Sequence, residues 1–115
     1  METLIDIFNN ILIYNSNKIN YIIDIENNIW FKFKSISEIL KYKSSKDALR
    51  DLINKEDKKL LKNIKILIKN KDHPNTVYIN EKGIYSFLIK SRMKNANEFQ
   101  LWLINEVLPN LRKHG

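Results

Sequence analysis

The chain of 115 residues contains no cysteine and has only two glycines, two prolines and two histidines. Without cysteine there can be no disulfide, thiolate zinc finger, iron–sulfur cluster or thiol catalysis, which fits a reducing intracellular setting. Gly83 and Gly115 stand apart, so no glycine-rich loop can cradle a phosphate. Scarce glycine and proline also exclude long flexible linkers, and the length suits a single domain spanning 1–115.

Groupings of residues typical of catalysis or metal binding are also lacking. His73 falls in a predicted loop and His114 lies next to the last residue, and neither has carboxylates at metal-ligand spacing. The adjacent carboxylates Glu56 and Asp57 are followed by lysines, as in a solvated turn rather than an acid–base pocket. We therefore expect no enzyme activity, no catalytic residue, no metal and no cofactor.

Long hydrophobic runs are absent, and charge of one sign dominates most of the chain. Apolar runs of a few residues fall far short of the roughly 20 needed for a membrane helix, and the amino terminus lacks a basic secretory signal. The net charge is +7. Residues 1–29 hold one base and four acids, whereas the remainder holds 19 bases and 9 acids. Such a field attracts DNA, RNA or acidic membranes, although a plain solvated lysine-rich surface is the alternative.

Apolar spacing predicts the elements of the first half of the chain. Residues 3–13 have helical periodicity, with a strand as the alternative, so 1–18 is interpreted as an extension of helix plus turn. Alternating apolar residues around a turn at Asn27 and Asn28 predict a β-hairpin over about 19–34. A capping-box pattern at 35–38 then opens a short helix, and a second helix is predicted over 46–53.

The second half repeats this mixture of strands and helices. Alternation over 62–69 and a short apolar run over 76–79 predict a second hairpin, about 62–79. Asn80 is placed to cap a helix over 81–90, and a long carboxy-terminal helix should be kinked at Pro109, where proline removes an amide donor. The predicted fold class is α+β: a small antiparallel sheet packed with short helices and a long final helix.

Six stretches of the sequence together resemble a known family. In order they are IWFKFKSISEILKY at 29–42, KDALR at 46–50, EDK at 56–58, VYINEKGIYSFL at 77–88, FQLWL at 99–103 and EVLPNLRK at 106–113. The chain resembles the Bro-N domain, the amino-terminal domain of baculovirus-repeated-ORF proteins and antirepressor-like viral and phage proteins. The resemblance covers about 20–115 and implies DNA binding, a large-DNA-virus source and a location in the host cytoplasm, viral factory or nucleus.

The basic residues most suited to meeting DNA are grouped in four places. The sharpest candidate is the helix–turn–helix-like segment 36–53, in which Lys46 and Arg50 share a helical face. The candidate DNA-binding residues are Lys41 and Lys43 in the turn, Lys46 and Arg50 on the second helix, Lys32 and Lys34 on the hairpin, and Lys90, Arg92 and Lys94 between two helices. For each group the alternative is an ordinary exposed basic side chain, or a cation complementing a helix end.

The aromatic residues are better explained by packing than by base stacking. Trp102 lies on the apolar face of its predicted helix, and Trp30 lies in a hydrophobic strand, so both are expected to be core residues. The leading hypothesis is a DNA-binding module that acts through lysine and arginine contacts to phosphate. Rival hypotheses are a protein–protein adaptor that binds a host or viral regulatory protein, and an RNA-binding module. A homodimer is also considered, and no membrane partner is expected.

Overall fold

The computed structural model describes residues 3–6, 11–14, 17–40, 45–67, 70–91 and 96–114. Within these residues the strands form one antiparallel sheet in the order β1-β2-β3-β4-β6-β5. The strands are β1 Thr3–Asp6, β2 Ile11–Tyr14, β3 Asn17–Ile23, β4 Ile29–Lys32, β5 Lys58–Leu60 and β6 Val77–Ile79. The sheet accompanies several helices, which confirms the predicted α+β class.

The helices are mostly short. They are α1 Phe33–Ile39, α2 Ser45–Asp51, α3 Glu81–Ser91, α4 Ala96–Trp102 and α5 Leu108–His114. Two 3₁₀ turns, Lys55–Asp57 and Leu61–Asn63, flank β5. A π-helical turn, Leu103–Val107, joins α4 to α5 and makes the last three elements one long helical segment.

Both faces of the sheet are covered at strands β3, β4 and β6. The face under the helices carries the main core, in which Tyr21, Phe31 and Ile79 pack against residues of α1, α3 and the carboxy-terminal helical segment. The opposite face carries a smaller cluster built around Trp30 and Tyr78. Burial on both faces explains why β3 and β4 contain runs of apolar residues rather than a strict alternation.

Asn80 caps α3 as the sequence predicts. Its side-chain Oδ1 accepts from the amide of Gly83 at 2.8 Å, while its Nδ2 donates to the buried Asp57 carboxylate at 3.1 Å. The absence of a side chain at Gly83 lets the start of α3 lie close to Asp57 and Ile79. A Cβ at this position would lie 3.0 Å from the carbonyl oxygen of Asp57 and 3.2 Å from Ile79 Cβ. The start of α3 is therefore fastened to the 3₁₀ turn that precedes β5.

Three predictions about element boundaries are wrong. In the described part of 3–13 the strand alternative holds and the helix does not, because Thr3–Asp6 and Ile11–Tyr14 are strands β1 and β2, which pair antiparallel. The hairpin predicted over 19–34 ends at Lys32, since buried Phe33 starts α1 and packs edge-to-face on Phe87 with ring centroids 5.2 Å apart. Lys34 consequently lies on a helix, and Ser35 contacts Asn20 rather than capping the helix.

The second hairpin is present but has a different first strand. It pairs β5, Lys58–Leu60, with β6, whereas the predicted strand over 62–69 begins in a 3₁₀ turn and its residues 68 and 69 lie outside the described residues. Leu61 and Ile64 are both buried, and the Ile64 amide donates to the Leu61 carbonyl. The buried side chains are thus three residues apart, as in a 3₁₀ turn, and not two apart as in a strand. The Leu67 side chain is 89% exposed, so the apolar residues of this segment do not all face the core.

The irregularity predicted at Pro109 takes the form of a π-helical turn just before it. The amide of Leu108 donates to the carbonyl of Leu103, five residues earlier. Pro109 has no amide hydrogen, and its ring would clash with a carbonyl four residues earlier in a regular helix. A widened turn at Leu103–Val107 accommodates it while Leu103, Val107 and Leu108 stay buried in the core.

Asp24 organises the turn between β3 and β4. The amides of Glu26 and Asn28 donate to its Oδ1 at 2.9 Å, and Nε1 of Trp30 donates to its Oδ2 at 3.0 Å. Asn27 has φ of 66°, which confirms the predicted turn, because asparagine tolerates the left-handed region. Burial alone would raise the pKa of Asp24, but these hydrogen bonds outweigh it and hold the pKa below its ordinary value.

We expect Asp24→Ala to lower the free energy of unfolding by about 2 kcal/mol at neutral pH, because hydrogen bonds to a carboxylate are lost. A pKa lowered by folding stabilises the protein above the unfolded-state pKa, and the effect disappears as the pH falls through the folded-state value. The difference between the two proteins should therefore shrink below about pH 4. Urea denaturation followed by tryptophan fluorescence measures the free energy of unfolding at each pH. Glu26 is exposed, so Glu26→Ala is the control, and it should change the free energy of unfolding little. A difference that persists unchanged at pH 2 would contradict this role.

Candidate nucleic-acid interface

Helix α2, the predicted recognition helix, is held to the body by one side. Ala48 is fully buried in the main core, and Leu49 packs partly against it. Lys58, on the neighbouring strand β5, donates from its Nζ to the Leu49 carbonyl near the end of α2. A cation at a helix carboxy terminus also complements the helix dipole. The position of α2 is therefore set both by apolar packing and by a lysine from the sheet.

The opposite side of α2 presents charged residues to solvent. Lys46 is exposed, and Arg50 follows one helical turn later in α2. Asp47 and Asp51 are exposed on the same short helix, so the two bases are matched by two acids. The helix α2 therefore contributes no net charge, and any attraction of this region to a polyanion depends on cations in the neighbouring elements.

The other predicted site residues are distributed over several elements. Lys34 is exposed on α1, and Lys90 is exposed in the last turn of α3. Lys41, Lys43, Arg92 and Lys94 lie outside the described residues. The two segments that contain them directly precede α2 and follow α3, so the predicted contacts there stay predictions.

Lys32 has a partner within the protein. Its Nζ lies 3.1 Å from Oδ1 of Asp72, and the two side chains are 23% and 24% exposed. Tyr78, which is buried beside Lys32 in the sheet, donates its hydroxyl to the other oxygen of Asp72 at 2.5 Å. Burial, and then the hydrogen bond to Asp72, raises the pKa of Tyr78. Asp72 thus fastens the loop before β6 to the sheet, and this ion pair competes with any contact from Lys32 to phosphate.

Three lysines that the sequence pattern did not single out lie next to α2. Lys55, Lys58 and Lys59 line a depression of about 370 Å³ together with Leu49, Leu60, Asn63 and Val77. The Nζ of Lys59 also lies 5.5 Å from the centre of the Trp30 ring, within reach of a cation–π contact. The strand Lys58–Leu60 has only three residues, which is too few for alternation to predict a strand. From the sequence, these lysines therefore look like part of a charged turn.

Both tryptophans are core residues, as predicted. Trp30 is 5% exposed and Trp102 is 3% exposed. The indole of Trp30 is part of the smaller cluster, and its Nε1 donates to Oδ2 of Asp24. Neither ring is available as a platform on which an unpaired base stacks.

The sequence matches the family described as the BRO family, N-terminal domain, over residues 18–109. It is 33% identical to an uncharacterized protein of Haemophilus influenzae strain Rd, covering 84% of this chain and 46% of that protein. It is 32% identical to a Bro-N domain-containing protein of Invertebrate iridescent virus 3, covering 75% of this chain and 26% of that protein. No solved structure matches.

A nuclear polyhedrosis virus of Lymantria dispar also has a similar Bro-N domain-containing protein, 28% identical over 81% of this chain and 26% of that protein. The chain therefore spans between about a quarter and a half of the length of these relatives. They are described as Bro-N domain-containing or uncharacterized proteins and not as enzymes. In the part of the chain that the structure describes, no helix is long and apolar enough to cross a membrane.

Proposed function

The chain belongs to the BRO family and carries its N-terminal domain, Bro-N, and on that premise we propose that it is a module that binds duplex DNA. The observation that carries the proposal is the orientation of α2. Ala48 is buried against the core while Lys46 is exposed on the same helix, so one side of the helix packs on the body and Lys46 is presented to solvent. The strong positive balance of residues 30–115 supplies the general attraction to DNA.

The proposed roles follow from where each cation lies. Lys46 and Arg50 of α2 read base edges in the major groove, and lysines and arginines around the helix contact phosphates. The proposed phosphate contacts are Lys34, Lys41, Lys43, Lys90, Arg92 and Lys94. Lys32 joins them only if DNA draws it away from Asp72. The longer proteins that carry such domains would use this binding in the regulation of transcription or replication.

The proposal is tested by titrating the chain against duplex DNA, single-stranded DNA and single-stranded RNA at several salt concentrations. With four to six phosphate contacts, the logarithm of the association constant should fall with the logarithm of salt concentration with a slope of about −4 to −5. Duplex DNA should be bound most tightly. Absence of duplex binding at low salt would refute the proposal, and tighter binding of single-stranded RNA would replace it with RNA recognition.

A further inference from the structure

Strand β5 is the last strand of the described sheet, and the backbone groups of two of its three residues face away from the sheet. Asn80 donates from its amide to the Asp57 carbonyl at 3.1 Å, and Leu61 donates to the Thr76 carbonyl at 2.8 Å. Both bonds are in register with the β5–β6 pairing. Because hydrogen-bonded and non-hydrogen-bonded pairs alternate in an antiparallel ladder, the N–H and C=O groups of Lys58 and Leu60 point away from β6.

The depression next to α2 lies along this same edge. On the helix side of the sheet, Leu60 of β5 and Val77 of β6 form an apolar floor with Leu49 of α2, and all three side chains are partly exposed. Every charged residue that lines the depression is a lysine. Since Lys58 is engaged with the Leu49 carbonyl, the exposed Lys55 and Lys59 provide the positive charge available to a partner.

We propose that this edge binds an extended acidic peptide segment of a partner protein, which adds to the sheet as a strand beside β5. Alternating donors and acceptors on the outer edge match a peptide backbone, whereas a phosphate backbone offers only acceptors. Side chains of an added strand alternate between the two faces of the sheet. Apolar side chains of the peptide enter the depression at Leu49, and its carboxylates face Lys59 and Lys55. This activity is independent of the DNA binding proposed above.

The test uses the full chain and a fluorescent peptide of alternating glutamate and leucine with blocked ends, measured by fluorescence anisotropy. The variant Leu60→Pro removes the outward N–H of β5 without removing a hydrogen bond to β6. Leu60 has φ of −73° and ψ of 146°, which proline adopts without strain. Leu60→Ala is the matched control, because it removes the same side chain but keeps the N–H. We expect a loss of affinity of at least about tenfold for the proline variant and about threefold for the alanine variant.

Two further measurements keep the proposal open to refutation if the proline variant does not fold. The first uses the acidic peptide N-methylated at every second residue, on the edge that faces β5, and this peptide should not bind the unchanged protein. The second uses a peptide of alternating lysine and leucine, which should bind the unchanged protein more weakly than the acidic peptide does. Equal binding of the methylated and unmethylated peptides would overturn strand addition. Displacement of the acidic peptide by equimolar duplex DNA, together with equal affinities for the two Leu60 variants, would assign the edge to nucleic acid instead and also overturn it.

Discussion

Reversing both bases of α2 with the double substitution Lys46→Glu and Arg50→Glu is expected to abolish the gel shift of duplex DNA. A base-reading side chain contributes about 1–3 kcal/mol to binding, so two of them account for a loss of at least about thirtyfold. The new carboxylates add repulsion from phosphate. Lys46 is exposed, while α2 is held by Ala48 on its opposite side, so the substituted chain should remain folded. Thermal denaturation checks the folding, and a gel shift at low salt measures the binding.

The matched control is Lys65→Glu with Lys71→Glu. Both lysines are exposed, Lys65 lies between Ile64 and Ile66 of the smaller cluster on the sheet face opposite the helices, and the change in net charge is identical. A protein attracted to DNA only by its overall charge would lose equal affinity in both double variants. We expect the control to weaken binding a few-fold. A folded Lys46, Arg50 variant that shifts duplex DNA as the unchanged chain does would exclude α2 as the contact surface.

The substitution Asp72→Ala is expected to lower the free energy of unfolding by about 3 kcal/mol. It leaves the buried Tyr78 hydroxyl without its acceptor and the partly buried Lys32 ammonium without its counterion. A buried donor left unsatisfied costs about 1–3 kcal/mol, and the partly exposed ion pair adds about 1 kcal/mol or less. The loop before β6 would also lose its attachment to the sheet. Urea denaturation at neutral pH gives the quantity directly.

A double-mutant cycle separates these contributions. In a Tyr78→Phe background the hydroxyl is gone, so the further change Asp72→Ala should cost only about 1 kcal/mol. Asp72→Asn is the second control, because an amide oxygen still accepts from Tyr78 while the charge on the side chain is lost. Equal costs of Asp72→Ala in the tyrosine and phenylalanine backgrounds would mean that Tyr78 and Asp72 do not act together.

The parts of the fold that local sequence signals determine were predicted well. Asparagine is a favoured residue before the first turn of a helix, and Oδ1 of Asn80 accepts a hydrogen bond from the Gly83 amide at the start of α3. The turn at Asn27 and the burial of Trp102 follow in the same way from turn chemistry and helical spacing. In each of these places a short range of residues supplies both the pattern and the contacts that satisfy it.

The parts that depend on distant contacts were not predicted. Residues 3–13 have apolar residues at helical spacing, with a strand as the alternative, and the pairing of Ile11–Tyr14 with both β1 and β3 shows why the described parts are strands. Residues 62–69 alternate as a strand does, yet Leu61 and Ile64 close over the smaller cluster instead. The alternation of apolar residues predicts that Phe33 belongs to a strand. In the structure it begins α1, where its ring packs against Phe87 of α3.

The candidate site divides in the same way. Exposure of Lys46 and burial of Ala48 were predicted from helical periodicity alone. The partner of Lys32 could not be predicted, since Asp72 is 40 residues away in the chain and only the folded structure brings the two side chains together. The support of α2 by Lys58 was missed for a related reason: a lysine beside charged neighbours gives no sign that it will reach a helix end.

The two hydrophobic clusters lie on opposite faces of the sheet. The larger cluster fixes α1, α2 and α3, whereas the smaller one holds the segment that runs from Leu61 towards β6. A change at Ile64 therefore acts on the smaller cluster before it reaches the helices. The helical side, which carries the proposed DNA contacts, is packed by a separate set of buried residues from α1, α2 and α3.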